Sequence, residues 1–186
     1  ELIITVDDVN EAPSLSNTLA ASSFAENVST GTIIATASAS DPESQAITYS
    51  LSGTGSEYFT IDSSGNVTLA AGLDYETATS YTLTLNASDG VNTTSSNLII
   101  TVDDVNEAPS LSNTLAASSF AENIATGTTI ATASASDPES QTITYSLSGT
   151  GSENFAVDSS GNITLVSSLD YETSTSYSLT LTASDG

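Results

Sequence analysis

The sequence predicts an all-β protein, built as tandem seven-stranded Greek-key β-sandwiches arranged in a linear rod. Residues 1–90 align without a gap on residues 97–186, and only 15 of the 90 aligned positions differ. Such self-similarity indicates a repeat architecture. Apolar residues fall in short runs that alternate with polar ones, and Gly, Pro, Asn and Ser clusters separate these runs, as in strands and turns. A unit of this length can bury a core of its own.

Seven strands are predicted in the first unit. They are an initial strand around Leu15–Phe24, then Gly31–Ser40, Ala46–Ser52, Tyr58–Ile61, Asn66–Ala70, Tyr81–Ser88 and Asn97–Val102. These segments are rich in Thr, Val, Ile and Tyr, which favour strands. Seven strands in about 100 residues is typical of an immunoglobulin-like sandwich.

The alternation also predicts which side chains face the core. The candidates are Phe24, Ile34, Tyr49, Leu51, Phe59, Ile61, Val67, Leu69, Leu73, Tyr81, Leu83, Leu85, Leu98, Ile100 and Val102. An ordinary packing role accounts for all of them.

The repeat also predicts domain boundaries. Residues 1–8 correspond to the last strand and linker of a preceding repeat, 9–103 form the first repeat, and 104–186 form a second repeat without its last strand. We therefore expect a fragment of a longer array. The missing strand would come from following chain, or from Glu1–Val6 of another copy.

The composition is extreme in charge. The chain has 23 acidic residues and no Lys, Arg, His or Cys. Without cationic side chains it cannot neutralise phosphates, which argues against nucleic acid and anionic lipid as partners. No apolar run approaches the length of a membrane span. Disorder, the other common reading of an acidic chain, is disfavoured because 38% of the residues are hydrophobic and patterned.

The placement of the carboxylates is the informative feature. All but five lie in the clusters Asp7–Pro13, Ala25–Asn27, Asp41–Glu43, Leu73–Glu76 and Ala87–Gly90, or in the copies of these clusters 96 residues later. The clusters lie at strand ends and loops rather than on strand faces. Clustered carboxylates repel each other unless a counter-charge is supplied, and this chain has none of its own. Ca²⁺ fits because it takes six to eight oxygen ligands, whereas Zn²⁺ and copper favour the absent His and Cys.

The clusters share their order and spacing with a known family. Ala-Glu-Asn at 25–27, Asp-Pro-Glu at 41–43, Leu-Asp-Tyr-Glu at 73–76, Ala-Ser-Asp-Gly at 87–90 and Asp-Val-Asn-Glu-Ala-Pro at 104–109 resemble cadherin repeats, in the form found in very large bacterial surface adhesins. The resemblance covers essentially the whole chain. It implies an extracellular, cell-surface location and Ca²⁺ bound between consecutive repeats.

The resemblance also implies ligands. The upper repeat would provide Glu26, Asp74 and Glu76. The linker would provide Asp104, Asn106, Glu107 and the carbonyl near Ala108, with Asp103 as a further candidate. The lower repeat would provide Asp137, Glu139 and Asp185. Two half-sites would face further repeats: Asp8, Asn10, Glu11, Asp41, Glu43 and Asp89 a preceding one, and Glu122, Asp170 and Glu172 a following one. The linker is one residue shorter than the common family pattern unless Asp103 is its first Asp, which leaves two or three ions per junction.

The sequence favours a Ca²⁺-stiffened extension segment of an adhesin or surface filament. Without His, Cys, Lys or Arg, catalysis is the least supported, because only carboxylate chemistry such as glycoside hydrolysis remains. A Ca²⁺-dependent carbohydrate-binding or homophilic adhesion module is the stronger alternative. Asp62 fits a hairpin turn with Gly65 at positive φ, so it is left out of the site. Expected partners are neighbouring repeats and possibly like chains in a filament or biofilm matrix.

Overall fold

The computed structural model describes residues 1–117 and 119–186, which form two compact units, 1–105 and 106–186. The strands of unit 1 are β1 (Ser14–Leu19), β2 (Phe24–Ala25), β3 (Ile33–Ser40), β4 (Thr48–Ser52), β5 (Phe59–Ile61), β6 (Asn66–Leu69), β7 (Ser80–Ser88) and β8 (Thr93–Asp103). A 3₁₀ turn, Ser56–Tyr58, precedes β5. The predicted all-β fold is confirmed.

Unit 1 is a sandwich of two four-stranded sheets, ordered β1-β3-β6-β5 and β2-β8-β7-β4. The prediction of one initial strand over Leu15–Phe24 was wrong in detail, since the segment is split between the sheets. β1 pairs antiparallel with β3, whereas β2 pairs parallel with the end of β8. The small residues 20–23, two Ala and two Ser, carry the chain from one sheet to the other, which lets Phe24 enter the core from the second sheet.

The core of unit 1 lies between these sheets. Most predicted inward residues are buried, and Ile34, Val67, Leu83, Leu85 and Ile100 have no exposed surface. Leu51 and Ile61 are only partly buried against the core, and Tyr49 is half-buried. Three buried alanines were not predicted: Ala35, Ala37 and Ala87. Their small side chains let the two sheets approach closely.

Unit 2 repeats the first sheet and part of the second. Its strands are β9 (Ser110–Leu115), β10 (Thr129–Ser136), β11 (Thr144–Ser148), β12 (Phe155–Val157), β13 (Asn162–Leu165) and β14 (Thr180–Ser184), with a 3₁₀ turn at Ser152–Asn154. One sheet has the order β12-β13-β10-β9 and the other contains β11 and β14. Its core is looser, with Ile130 8% exposed where Ile34 is fully buried.

Residues 1–13 form no strand in this chain. Across the described part of the chain, no helix has the length and apolar character needed to cross a membrane.

Candidate metal sites at the unit ends

The predicted ligands gather in four clusters, two in each unit. The Asp41 cluster comprises Asn10, Glu11, Asp41, Glu43 and Asp89, and the Glu26 cluster comprises Glu26, Asp74, Glu76, Asp103 and Asp104. The Asp137 cluster comprises Asn106, Glu107, Asp137, Glu139 and Asp185, and the Glu122 cluster comprises Glu122, Asp170 and Glu172. Asp8 and Ala108 lie exposed beside the linker segments.

The Asp41 cluster is organised by a tight turn after β3. Asp41 Oδ1 accepts hydrogen bonds from the backbone N–H groups of Glu43 at 3.0 Å and Gln45 at 2.9 Å. Ser44 makes this geometry possible by adopting a φ of 63°, a conformation uncommon for residues other than glycine. The turn leaves Asp41 Oδ2 buried, and none of the described residues donates a hydrogen bond to it. A buried anionic oxygen without a donor is costly.

Asn10 joins the linker segment to this turn. Its amide donates to Asp89 Oδ2 at 2.9 Å, and the Gln45 side chain donates to Asn10 Oδ1. The backbone N–H of Glu11 donates to Glu43 Oε2 at 3.3 Å. Four carboxylates and two amide side chains therefore meet at one end of unit 1.

Neighbouring groups shift two pKa values in the Asp41 cluster in opposite directions. Burial pushes the pKa of Asp89 upward, but hydrogen bonds from Asn10, Val91 and Asn92 outweigh it, and the net pKa is lowered. The pKa of Glu43 is raised, mainly because its carboxyl group shares a hydrogen bond with that of Glu11. Two carboxylates in contact favour retention of a proton.

The Asp137 cluster repeats this arrangement in unit 2. Asn106 donates to Asp185 Oδ2 at 2.8 Å, and Gln141 N–H donates to Asp137 Oδ1 at 2.8 Å. Asp137 Oδ2 is again buried and, within the described ranges, accepts no hydrogen bond; the same holds for Glu139 Oε2. Because an aspartate oxygen without a hydrogen-bond donor occurs at equivalent positions in both units, we take it as a regular feature of the repeat.

Glu139 and Glu43 occupy equivalent positions in the two units, but their pKa values are shifted in opposite directions. The backbone N–H of Glu107 donates to Glu139 Oε1 at 2.8 Å, closer than the 3.3 Å of the corresponding bond to Glu43. This closer donor lowers the pKa of Glu139. In unit 1 the hydrogen bond shared with the Glu11 carboxyl group dominates and raises the pKa of Glu43, whereas in unit 2 the linker amide dominates and lowers the pKa of Glu139.

The Glu26 cluster lies at the other end of unit 1. Glu26 is 5% exposed, and its oxygens accept hydrogen bonds from the backbone N–H groups of Tyr75 and Val105, both at 2.7 Å. A carboxylate oxygen of Glu76 lies within 4.8 Å of one on Glu26, and Glu76 and Asp104 also approach within 4.8 Å. That separation suits two carboxylates sharing one cation.

Asp74 and Asp103 are held by local hydrogen bonds. Asp74 Oδ1 accepts from Thr77 N–H at 2.8 Å, and Asp103 Oδ2 accepts from the Ser23 hydroxyl at 2.5 Å. Of the two consecutive linker aspartates, Asp104 has an oxygen within 4.8 Å of one on Glu76.

The Glu122 cluster brings Glu122, Asp170 and Glu172 within 4.8 Å of one another, all of them exposed. Glu122 Oε2 accepts from Tyr171 N–H at 2.9 Å, as Glu26 does from Tyr75. A hydrogen bond from the Thr173 hydroxyl lowers the pKa of Asp170.

Asp62 is confirmed as a turn residue. Its Oδ1 accepts from the N–H groups of Ser64 and Asn66, and its Oδ2 accepts from the Asn66 side chain. Gly65 completes the turn with a φ of 84°. Its oxygens are thus satisfied by the protein, unlike Asp41 Oδ2.

Sequence reasoning missed Gln45 and Gln141, whose amides bond to Asn10 and Asn106. The signal was present, because Gln follows Asp-Pro-Glu-Ser in both units. The backbone N–H donors of Tyr75 and Val105 were also missed. Nearly every residue type carries a backbone N–H, so the sequence does not indicate which residues act as backbone donors.

Similarity to known proteins identifies the family. The cadherin domain model matches residues 21–103 and 117–186. The chain is 33% identical to cadherin-related family member 1 of Gallus gallus, over 95% of this chain and 22% of that protein. It is 34% identical to human protocadherin Fat 4, over 97% of this chain and 4% of that protein. The chain therefore spans a small part of these relatives.

Solved structures of cadherin proteins also resemble this chain. Human protocadherin-24 EC1-2 superposes with a TM-score of 0.60 at 25% identity, covering 95% of this chain and 88% of that one. Drosophila N-cadherin EC1-4 gives a TM-score of 0.59 at 29% identity, covering 94% and 45%. Cadherin domains are typically extracellular modules of Ca²⁺-dependent adhesion. The chain belongs to the cadherin family.

Proposed function

We propose that this chain is an extension segment of an extracellular surface protein, stiffened by Ca²⁺ bound where consecutive repeats join. The observation that carries the proposal is the pair of buried, orphaned oxygens, Asp41 Oδ2 and Asp137 Oδ2. Both belong to clusters of carboxylates in a chain without Lys, Arg or His. A cation from outside is the natural partner for such oxygens.

The donor set favours Ca²⁺ over other cations. It consists of carboxylates, Asn and Gln amides and backbone carbonyls, which are the ligands that Ca²⁺ accepts in loose geometry. Extracellular Ca²⁺ modules typically bind with a Kd of about 10⁻⁴–10⁻³ M, so free millimolar Ca²⁺ would occupy the sites. We assign the ligands as the four clusters, with Asp8 and the carbonyl near Ala108 completing the linkers.

Stiffening follows from electrostatics. Without the ion, the carboxylates of the linker 103–109 and of the adjacent unit ends repel one another. With it, the same groups share one positive centre and fix the direction of the linker. We take 9–103 and 104–186 as the repeats so joined.

The near-identity of the two units supports an extension role in a large array, since repeated spacers need no individual specificity. We further propose that the parent protein is a large surface adhesin, because the Asp-Pro-Glu and Leu-Asp-Tyr-Glu motifs resemble those of cadherin repeats in bacterial adhesins, whereas the matched relatives named above are animal proteins. The sequence that flanks this segment in its parent protein tests this proposal.

Carbohydrate binding, the alternative, would use aromatic side chains beside the ions. Tyr171 is 64% exposed next to the Glu122 cluster, but its counterpart Tyr75 is half-buried and packs against the core of unit 1. Tyr58 stacks on Tyr81 at 5.3 Å and is replaced by Asn154 in unit 2. No aromatic platform is therefore repeated in both units, which favours the extension role.

Calorimetric Ca²⁺ titration and small-angle scattering test the proposal. Asp41→Asn and Asp137→Asn keep the Oδ1 acceptor and remove the charge, so we expect each to weaken Ca²⁺ binding. Asp62→Asn and Asp158→Asn are matched controls in turns and should leave binding unchanged. Adding Ca²⁺ to the wild type should lengthen the maximum dimension relative to chelator. Equal Ca²⁺ affinity in all four variants, or an unchanged maximum dimension, would refute the proposal.

A further inference from the structure

The side chain of Asn10 is oriented by the carboxylate of Asp89. Asp89 Oδ1 accepts hydrogen bonds from the backbone N–H groups of Val91 at 2.7 Å and Asn92 at 2.6 Å, which hold the carboxylate in place between β7 and β8. Asp89 Oδ2 accepts a hydrogen bond from the Asn10 amide at 2.9 Å. Because an ionised carboxylate can only accept, Asn10 must present its nitrogen to Asp89 and its Oδ1 to the opposite side.

Gln45 lies on that opposite side. Its side-chain amide donates to Asn10 Oδ1, and its backbone N–H donates to Asp41 Oδ1 at 2.9 Å. Gln45 therefore connects the linker to the turn in which Asp41 Oδ2 is buried. An ionised glutamate of the same length has no hydrogen to donate, so the role requires the amide. We call the connected side chains of Asp89, Asn10 and Gln45 the amide relay.

The amide relay recurs in unit 2. Asn106 donates to Asp185 Oδ2 at 2.8 Å, and the Gln141 side chain donates to Asn106 Oδ1. The Gln141 backbone N–H donates to Asp137 Oδ1 at 2.8 Å. Gln141 and its counterpart in unit 1 are the only glutamines in the sequence. The linker asparagine lies mid-chain in unit 2 and the accepting aspartate lies mid-chain in unit 1, so the relay does not arise from either end of the chain.

The backbone of the linker segment in unit 1 has only weak attachments of its own. The Asn92 side chain donates to the Asn10 carbonyl at 3.3 Å, and the Glu11 N–H donates to Glu43 Oε2 at 3.3 Å. Both distances exceed the usual range for N–H···O hydrogen bonds. The amide relay is therefore the main connection between this segment and the rest of unit 1.

We propose that Gln45 and Gln141 are positioning residues, which hold the linker asparagine of their own unit in place before any cation binds. Only the consequence for Ca²⁺ rests on the proposed function. The asparagine Oδ1 has two lone pairs, and the glutamine donor occupies one of them, so the other stays available to a cation. Ca²⁺ then meets a linker segment that is already ordered, and less conformational entropy is lost on binding.

NMR relaxation in excess chelator at pH 7 tests the positioning without any metal. The ¹H–¹⁵N NOE reports backbone motion on the ps–ns timescale, and residues 10 and 11 of the wild type should be as rigid as the strands. Gln45→Met keeps the length of the side chain and removes the donor. It should make both residues mobile and speed exchange of the Glu11 amide by on the order of tenfold. Because Gln45 is exposed, the core amides should be unchanged.

A double variant with the charge of the wild type reverses the amide relay. Gln45→Glu alone should release the linker segment, because its carboxylate faces Asn10 Oδ1. Adding Asp89→Asn lets Asn10 rotate by half a turn, accept from the amide at position 89 and donate to the carboxylate at position 45. The double variant should therefore be rigid again, and Asp89→Asn alone, in which both amides can rotate, is the control that stays rigid. Rigid residues 10 and 11 in Gln45→Met, or a double variant as mobile as Gln45→Glu, would overturn the inference.

Calorimetric Ca²⁺ titration of Gln141→Met tests the consequence for the ion. Every carboxylate is retained in this variant, so a weaker affinity reports the loss of positioning rather than of charge. We expect Ca²⁺ binding to weaken by about threefold or more. Unchanged affinity would overturn the role in Ca²⁺ binding. A wild type that takes up no Ca²⁺ would refute the proposed function alone, because the relaxation data in chelator decide the positioning.

Discussion

The carboxylate of Glu26 accepts a hydrogen bond at 2.7 Å from the backbone N–H of Val105, which lies 79 residues away in the sequence. This bond ties the start of the linker to the residue that directly follows β2. The backbone N–H of Glu26 in turn donates to the carbonyl of Asp103 at 3.0 Å. Glu26 therefore has a structural role in addition to its place in a proposed ion site.

Replacing Glu26 by Gln should destabilise unit 1. The amide nitrogen of Gln cannot accept, so one of the backbone N–H groups of Tyr75 and Val105 loses its partner in a buried place. The loss of a hydrogen-bond partner at a buried position lowers the free energy of unfolding by about 1–3 kcal/mol. Urea denaturation in the presence of chelator measures this loss. Glu122→Gln is the matched control; since Glu122 is exposed, its effect should be well below 1 kcal/mol. An equal loss of unfolding free energy in the two variants would mean that burial of the carboxylate does not determine the size of the loss.

The two units should also differ in how they tolerate a core truncation. Leu83 has no exposed surface and pairs with Leu98 of β8, whereas its counterpart Leu179 is half-buried. Leu83→Ala should lower the free energy of unfolding of unit 1 by about 2–5 kcal/mol. Leu179→Ala should cost unit 2 clearly less. Urea denaturation followed by residue-resolved NMR separates the two units. A larger loss in Leu179→Ala would contradict the looser packing of unit 2.

Much of the fold was predictable because the strands alternate cleanly. Positions such as Leu83, Leu85 and Ile100 could be assigned to the core from period-two spacing alone. The break between β1 and β2 could not, since the small residues 20–23, two Ala and two Ser, can either continue a strand or cross between sheets. Only the pairing of Phe24 with Val102 decides between these possibilities.

The candidate ion sites were predictable to the level of the clusters. Recurrence after 96 residues located the carboxylates, including Asp41 and Asp137. The sequence could not reveal that Oδ2 of these residues is buried, because that depends on the left-handed Ser44 and Ser140. Nor could it distinguish Glu43 from Glu139, because their opposite pKa shifts depend on whether the carboxyl group or the backbone N–H of the linker glutamate dominates.

Acid should weaken the metal-free protein through its two Asx turns. Hydrogen bonds from Asn66 and Asn162 lower the pKa of Asp62 and Asp158 below the usual 3.8. A carboxylate with a lowered pKa stabilises the folded state above its unfolded pKa, and this stability is lost as pH falls through the folded value. The thermal unfolding midpoint, measured in chelator, should therefore decrease as the pH is lowered below about 4.

Asn substitutions provide the control for this acid effect. The combined variant Asp62→Asn and Asp158→Asn has no carboxylate to protonate in either turn. Its unfolding midpoint should start lower at pH 7 and fall less steeply on acidification than that of the wild type. Parallel curves for the two proteins would show that the turns do not contribute.

Replacing Glu43 by Gln should have opposite effects on the metal-free and the Ca²⁺-bound protein. The pKa of Glu43 is raised above the usual 4.5, chiefly by the hydrogen bond shared with Glu11. The stability linked to a raised pKa is fully present below pH 4.5 and is lost as pH rises through the folded value. At pH 7 in chelator, Glu43→Gln should therefore raise the unfolding midpoint of unit 1. It should also weaken Ca²⁺ binding by on the order of tenfold, because affinity follows the number of ligand charges.

Glu139→Gln is the matched comparison in unit 2. The Glu107 N–H lowers the pKa of Glu139, so the charged form is the stabilising one and its loss should lower the metal-free midpoint at pH 7. Ca²⁺ binding should weaken as in Glu43→Gln. Thermal unfolding in chelator and calorimetric Ca²⁺ titration check both statements on the same two proteins. A midpoint that shifts in the same direction in both variants would show that the linker amide does not control the charge of this position.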